Sequence, residues 1–281
     1  AVITTYVDAY IFPQMIQHVE RVLSNAGYTV QISFTYNRIS REKSILEGIV
    51  AKDDIAGVIA EPTKSSLPNP NLKYYEKLRK KHVPVLFMNT YYEALDAPHV
   101  SMDDIMAGKI ATQYVIGKGH KRIGGVFKLD DSQGSRRYFG FLEAMNEASL
   151  RVTGNDLLWF DTVDIENEEN VRQLAERIRK RLSTRTALVL YNDESAYKLI
   201  NEFNKMGLKI PDDISIVGID DTVLSTNGTV QITSVAYPTE EIAVKAANNL
   251  LELIKNGRFD ATYEFSVHIV ERDSVKDLTD N

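Results

Sequence analysis

Short apolar runs alternate with amphipathic helical stretches along the whole 281-residue chain, and this constrains the fold more than any other feature. Strand-like runs recur at residues 1–5, 29–34, 56–60, 85–88, 122–127, 157–160, 187–190, 215–219 and 263–270. Between them apolar residues fall at helical spacing. In residues 12–25, for instance, Met15, Ile16, Val19, Val22 and Leu23 share one face, and Gly27 stands just past the end as a stop signal. Further helices are expected at 44–50, 72–81, 103–116, 137–148, 167–182, 195–206 and 239–255. Strands separated by helices of about ten residues or more imply βαβ units and parallel sheets. About ten strands exceed what one doubly wound sheet comfortably carries. The expected fold class is therefore α/β, with two doubly wound parallel-sheet lobes.

Two strand ends draw the chemistry together. The segment LVLYNDESAY at 188–197 and the segment ISIVGIDDT at 214–222 each begin apolar and break into acid and amide. A continuous apolar run is the mark of a strand buried on both faces of a parallel sheet. The polar residues that follow sit at its carboxyl end, where open α/β sheets bind ligands. Asn192, Asp193 and Asp220 are thereby candidates for a polar rim.

Other chemistries lack support. The net charge of −6 argues against this chain gripping nucleic acid through its own surface, which needs clustered Lys and Arg. There is no cysteine, hence no disulfide, thiolate metal site or cysteine nucleophile, and the five histidines show no metal spacing. No phosphate-binding glycine loop and no G-x-S-x-G elbow occurs, so neither an enzyme nor a cofactor is expected. No apolar run approaches the roughly 18 residues that span a membrane. The acid pairs Asp53-Asp54, Asp103-Asp104 and Asp212-Asp213 read as helix caps and solvated loops. The sequence opens within a strand and without Met, which implies an upstream segment: a leader, a tag or a domain.

An ordered set of motifs carries a family resemblance. Gly119-His120-Lys121-Arg122-Ile123-Gly124-Gly125 leads into a strand, and Arg137-x-x-Gly140-Phe141 follows. Then come Asn192-Asp193-Glu194-x-Ala196 and the run from Pro211 to Asp221, PDDISIVGIDD. In this order and spacing they resemble the effector-binding domain of LacI/GalR-type bacterial transcription regulators, over nearly the whole chain. A narrower resemblance, to the arabinose-responsive repressors of Gram-positive bacteria, rests on Thr4-Thr5-Tyr6, Tyr10-Ile11-Phe12-Pro13, Glu61-Pro62-Thr63-Lys64-Ser65 and Phe127-Lys128-x-Asp130-Asp131-x-Gln133-Gly134.

The resemblance implies a type I periplasmic-binding-protein-like fold with residues 1–118 plus 237–258 in an N-terminal lobe and 119–236 plus 259–276 in a C-terminal lobe. Three crossovers would join them, near 117–119, 235–238 and 257–261. It implies a cytoplasmic homodimeric repressor, a monosaccharide effector, best matched by L-arabinose, in an interlobe cleft, and operator DNA reached only through a GntR-type head absent from this chain. Sugar would favour a closed state that releases the operator. The alternative is a periplasmic sugar-binding protein of a transporter.

Matched position by position, the resemblance implies roles for individual residues. Arg137 would fork onto ring and hydroxyl oxygens, Asn192 would offer donor and acceptor, and Asp220 would accept from two hydroxyls. Asp193 is either a ligand or, with Asn192, a helix cap. Asn89 stands where many relatives carry Asp. Glu61 is either a hydroxyl acceptor or an exposed loop acid. Lys64, Lys128 and Tyr237 are further candidates. Tyr6, Asp8 and Phe12 surround the first strand-to-helix turn, where Phe12 either stacks on the sugar or staples the first helix. Arg137→Ala and Asp220→Asn are expected to abolish binding and leave the fold intact.

Overall fold

A computed structural model describes residues 1–7, 11–257 and 259–279. The chain divides into two compact units, Ala1–Met102 with Pro238–Phe265, and Asp103–Tyr237 with Ser266–Asn281. The first unit opens with β1 (Val2–Thr4), α1 (Phe12–Asn25), β2 (Ile32–Phe34), α2 (Ile39–Val50), β3 (Val58–Ala60), α3 (Leu72–Lys80), β4 (Val85–Met88) and β5 (His99–Met102). The second runs through α4 (Asp104–Gly117), β6 (Ile123–Lys128), α5 (Ser132–Glu147), β7 (Leu157–Phe160), α6 (Glu168–Arg181), β8 (Ala187–Leu190), α7 (Asp193–Lys205), β9 (Ser215–Asp220), the short α8 (Val223–Thr226) and β10 (Thr233–Ala236). The chain returns to the first unit for α9 (Thr239–Asn256) and β11 (Tyr263–Phe265), then ends in the second with β12 (Ile269–Val270).

Among the described residues each unit holds one six-stranded sheet, ordered β11-β5-β4-β3-β1-β2 in the first and β12-β10-β9-β8-β6-β7 in the second. All pairings are parallel except β10 with β12. The central strands β6, β8 and β9 are buried at every residue, as continuous apolar runs require when helices cover both faces. Helix α1 carries its proline in the first turn and buries Met15, Val19 and Leu23, the expected stripe. Among the described residues no helix is long and apolar enough to cross a membrane.

Several elements depart from expectation for identifiable reasons. The expected last strand at 263–270 is two strands in two sheets. Tyr263 pairs with Val100 of β5 and Val270 with Ser234 of β10, because the chain leaves one unit between them. Strand β5, HVSM, was not anticipated, since its polar residues hide the period. Helix α2 starts at Ile39 rather than near 44, because its first turns bury a carboxylate, Glu42, instead of an apolar side chain. The unit boundaries fall at Met102/Asp103 and Phe265/Ser266, not at 118 and 258, while the middle one lies at Tyr237/Pro238. Helix α4 goes with the second unit because it packs on α5 at backbone distance. A Cβ on Gly108 would stand 2.0 Å from the Arg137 carbonyl oxygen, and one on Gly140 1.9 Å from that of Ile105.

Candidate functional site: strand-end polar clusters

In the second unit the carboxyl ends of β6, β8 and β9, the start of α4 and the second turn of α5 bring Arg137, Asp104, Asp220, Tyr191, Lys128, Asp130 and Asp131 together. Arg137 is only 1% exposed. Its Nε donates to Asp104 Oδ1 at 2.9 Å, one Nη to the Tyr191 carbonyl at 2.6 Å and the other to Asp220 Oδ1 at 2.9 Å. The guanidinium also lies 4.9 Å from the Tyr191 ring centroid. Of five guanidinium N–H groups, three are engaged by these bonds, which leaves two to donate elsewhere. Burial pushes both Asp104 and Asp220 above the usual carboxylate range; for Asp104 the guanidinium opposes that push.

Lys128 ends β6 and is also buried. Its ammonium sits 2.5 Å from Asp131, 3.9 Å from Asp130 and 5.9 Å from the Tyr191 ring. Burial works against its charge, but Asp131, Tyr191 and Asp130 outweigh it and hold the amine above its ordinary value. Burial, and then Asp131, raise the Tyr191 phenol as well.

Asn192 and Asp193 open α7. Asn192 is the cap: its Oδ1 accepts from Ser195 N at 3.0 Å. Asp193 is fully buried, and both its oxygens accept from the unit's own donors, Ser234 and Thr222. Tyr237, at the end of this unit, is 7% exposed.

In the first unit the ends of β1, β3 and β4 converge on Glu61. One Glu61 oxygen accepts from Thr5 N at 2.8 Å and Thr5 Oγ1 at 2.5 Å, and the other from Asn89 Nδ2 at 3.0 Å. Glu61 is 7% exposed, so it is not an exposed loop acid. Asn89 and Lys64 both take positive φ, 71° and 46°, the left-handed geometry of sharp strand-end turns. Lys64 is anchored through its amide, which donates to Asn37 Oδ1 at 2.8 Å. Phe12 is the first residue of α1 and is buried, edge-on to Tyr6 with ring centroids 5.8 Å apart. Tyr6 in turn meets Tyr36 at 6.3 Å. Asp8 lies outside the described residues.

Behind Lys64 stands a buried network. Glu42 accepts from Asn69 and Asn71 amides, each at 2.8 Å, and from the Tyr75 and Tyr92 hydroxyls at 3.0 and 2.7 Å. Tyr92 in turn accepts from Thr63 N at 2.8 Å, which ties the 61–71 loop to this carboxylate. Burial, and next the Glu42 charge, raise both phenols.

Asp104 and Tyr191 are the site residues that sequence reasoning missed. Asp104 sits in a pair that reads as capping, and half of that reading holds: Asp103 accepts from Met106 N at 2.9 Å. A cap needs only one acid, so the presence of a second acid beside it was the available signal.

The chain is similar to known proteins over nearly its whole length. Residues 112–275 match the periplasmic binding protein-like domain family. The chain is 35% identical over 270 residues to the arabinose metabolism transcriptional repressor of Halalkalibacterium halodurans, covering 96% of this chain and 72% of that protein. It is 36% identical over 281 residues to the repressor of the same name from Geobacillus stearothermophilus, covering 99% and 76%. Among solved structures, the transcription regulator CcpA of Lactococcus lactis superposes with a TM-score of 0.85 at 23% identity, over 98% of both chains.

Proposed function

This chain belongs to the LacI/GalR-type regulators with a periplasmic-binding-protein-like effector domain, and from that premise we propose that its effector is a monosaccharide, L-arabinose first among candidates. The observation that carries the reading is the buried Arg137 fork. It holds Asp220 at a strand end and keeps two N–H groups to donate. A donor fork beside a carboxylate suits vicinal hydroxyls, each of which donates one hydrogen bond and accepts others. Asn192 adds donors, and Tyr237 and Lys128 lie in the same unit. Within the first unit taken by itself, Glu61, Lys64, Asn89 and Tyr6 follow the ends of its own strands, with Phe12 as the buried support of Tyr6. The relatives whose names speak of arabinose metabolism point to the pentose.

The activity is binding, not turnover. In a cytoplasmic full-length homodimer, sugar weakens operator binding by no more than the difference between its affinities for two conformations. Thermal unfolding with L-arabinose, D-xylose, D-ribose, D-galactose and D-glucose tests this. A sugar at about 100 times its dissociation constant adds roughly 2.7 kcal/mol. A shift with L-arabinose alone supports the pentose reading. A shift with a different sugar keeps the monosaccharide class and discards arabinose. No shift with any of the five overturns the free-sugar effector.

A further inference from the structure

Asp220 is presented by an unusual backbone. It has φ 109° and the next residue, Asp221, φ 46°. Two successive non-glycine residues at positive φ persist only where their surroundings hold them. The surroundings here are specific. Asp221 N donates to Ser234 Oγ at 3.0 Å, and Ser234 Oγ donates its own hydrogen to Asp193 Oδ1 at 2.6 Å. Thr222 N donates to Asp193 Oδ2 at 2.8 Å. One carboxylate therefore fixes both amides that follow Asp220, one directly and one through a hydroxyl.

The fit leaves little slack. A Cβ on Gly218 would stand 2.3 Å from Asp193 Oδ1, so β9 brings its bare backbone against the carboxylate two residues before Asp220. Asp221 is separately gripped by Arg272 at 2.6 Å and Ser225 at 3.2 Å. Asp193 begins α7, where the helix N-terminus favours its negative charge. Resting on the proposed sugar site, we propose that Asp193 is a positioning residue: through Ser234 and the Thr222 amide it holds the left-handed turn that presents the Asp220 carboxylate to the effector.

The ionised form is the working one, because both its neighbours donate. A proton on Oδ1 would turn Ser234 from donor to acceptor on that side and loosen its grip on the Asp221 amide. The charged groups facing Asp193 are Asp221 at the β9–α8 turn and Arg272 after β12, while β10 presents neutral Ser234 and β9 presents Gly218. Burial pushes Asp193 up to about 7, which places this change within the physiological range.

The test compares wild type, Asp193→Asn and Ser234→Ala by calorimetric titration with L-arabinose between pH 6 and 8, and by amide hydrogen exchange without sugar. Positioning predicts that both variants stay folded by circular dichroism, bind L-arabinose about tenfold or more weakly, and exchange the Asp221 and Thr222 amides faster. Wild-type affinity falls about tenfold from pH 8 to pH 6, as the competent fraction does, and Asp193→Asn loses that step. Wild-type affinity and wild-type exchange rates in both variants would overturn the inference. If wild type binds no L-arabinose, the arabinose reading falls, and the exchange rates still decide whether Asp193 holds the turn.

Discussion

Arg137 and Asp220 meet at 2.9 Å inside the second unit, the guanidinium almost wholly sealed from solvent, so two prospective ligand groups are also each other's counter-charge. A pair built this way is organised without any ligand and carries part of the fold's stability. That revises the expectation that Arg137→Ala leaves the fold untouched.

Arg137→Ala strands Asp104 and Asp220 in a buried site without their shared cation. Removing one partner of a buried pair costs about 3–5 kcal/mol. Urea unfolding should show a loss of this order together with loss of sugar binding in calorimetry. An unchanged urea midpoint would mean that the ion pair does not form in solution.

Asp220→Asn separates the two roles. The amide oxygen still accepts from Arg137, so the stability loss should stay at about 1 kcal/mol, the scale of one net hydrogen bond. On the proposed reading the carboxylate that would accept from two hydroxyls is gone, and sugar affinity should fall by about two orders of magnitude, as for loss of a charged hydrogen-bond partner. Wild-type affinity in this variant would place the sugar elsewhere.

The backbone contact between α4 and α5 makes Gly108→Ala and Gly140→Ala sensitive, since each new Cβ would land about 2 Å from a carbonyl oxygen. The helices must part, and they carry Asp104 and Arg137. Each variant should lose about 2 kcal/mol or more, the scale of overpacking a tight contact, and should bind sugar more weakly. Denaturation and titration of both single variants check this.

Glu42→Gln tests the first unit's network. Four donors converge on the carboxylate, and the new amide would point two further hydrogens at them. The expected cost is about 2–3 kcal/mol, that of unsatisfied buried donors. Tyr75→Phe removes one donor, whose hydroxyl bonds Glu42, and should cost less. Equal losses in the two variants would contradict the carboxylate's central place.

The pH dependence of stability has a definite sign. Burial raises Asp193 from an ordinary value of 3.8 to about 7. Between those values the folded state holds the proton more tightly than the unfolded chain, so this group's contribution to stability falls as pH rises through that window. The urea midpoint of Asp193→Asn minus that of wild type should therefore grow from pH 4 to pH 7 and level off above. A difference that stays flat would show that the carboxyl titrates at its ordinary value.

Two sheets with parallel βαβ connectivity were legible in the sequence, because burial on both faces forces continuous apolar runs at strands such as β8 and β9, and amphipathic stripes at helices such as α1. The strand-end positions of Asn192 and Asp220 were legible for the same reason: a buried strand must end where its apolar run ends. What tertiary structure alone decided is what those polar residues touch. Asp104 was hidden behind a capping pair, Glu42 behind a polar helix start, and the split of residues 263–270 behind a single apolar rhythm. Spacing along a chain reports which face a residue occupies. It carries no record of which distant donor, Arg137 to Asp220 or Ser234 to Asp193, meets it there, because those pairings are set by the packing of helices and strands far apart in sequence.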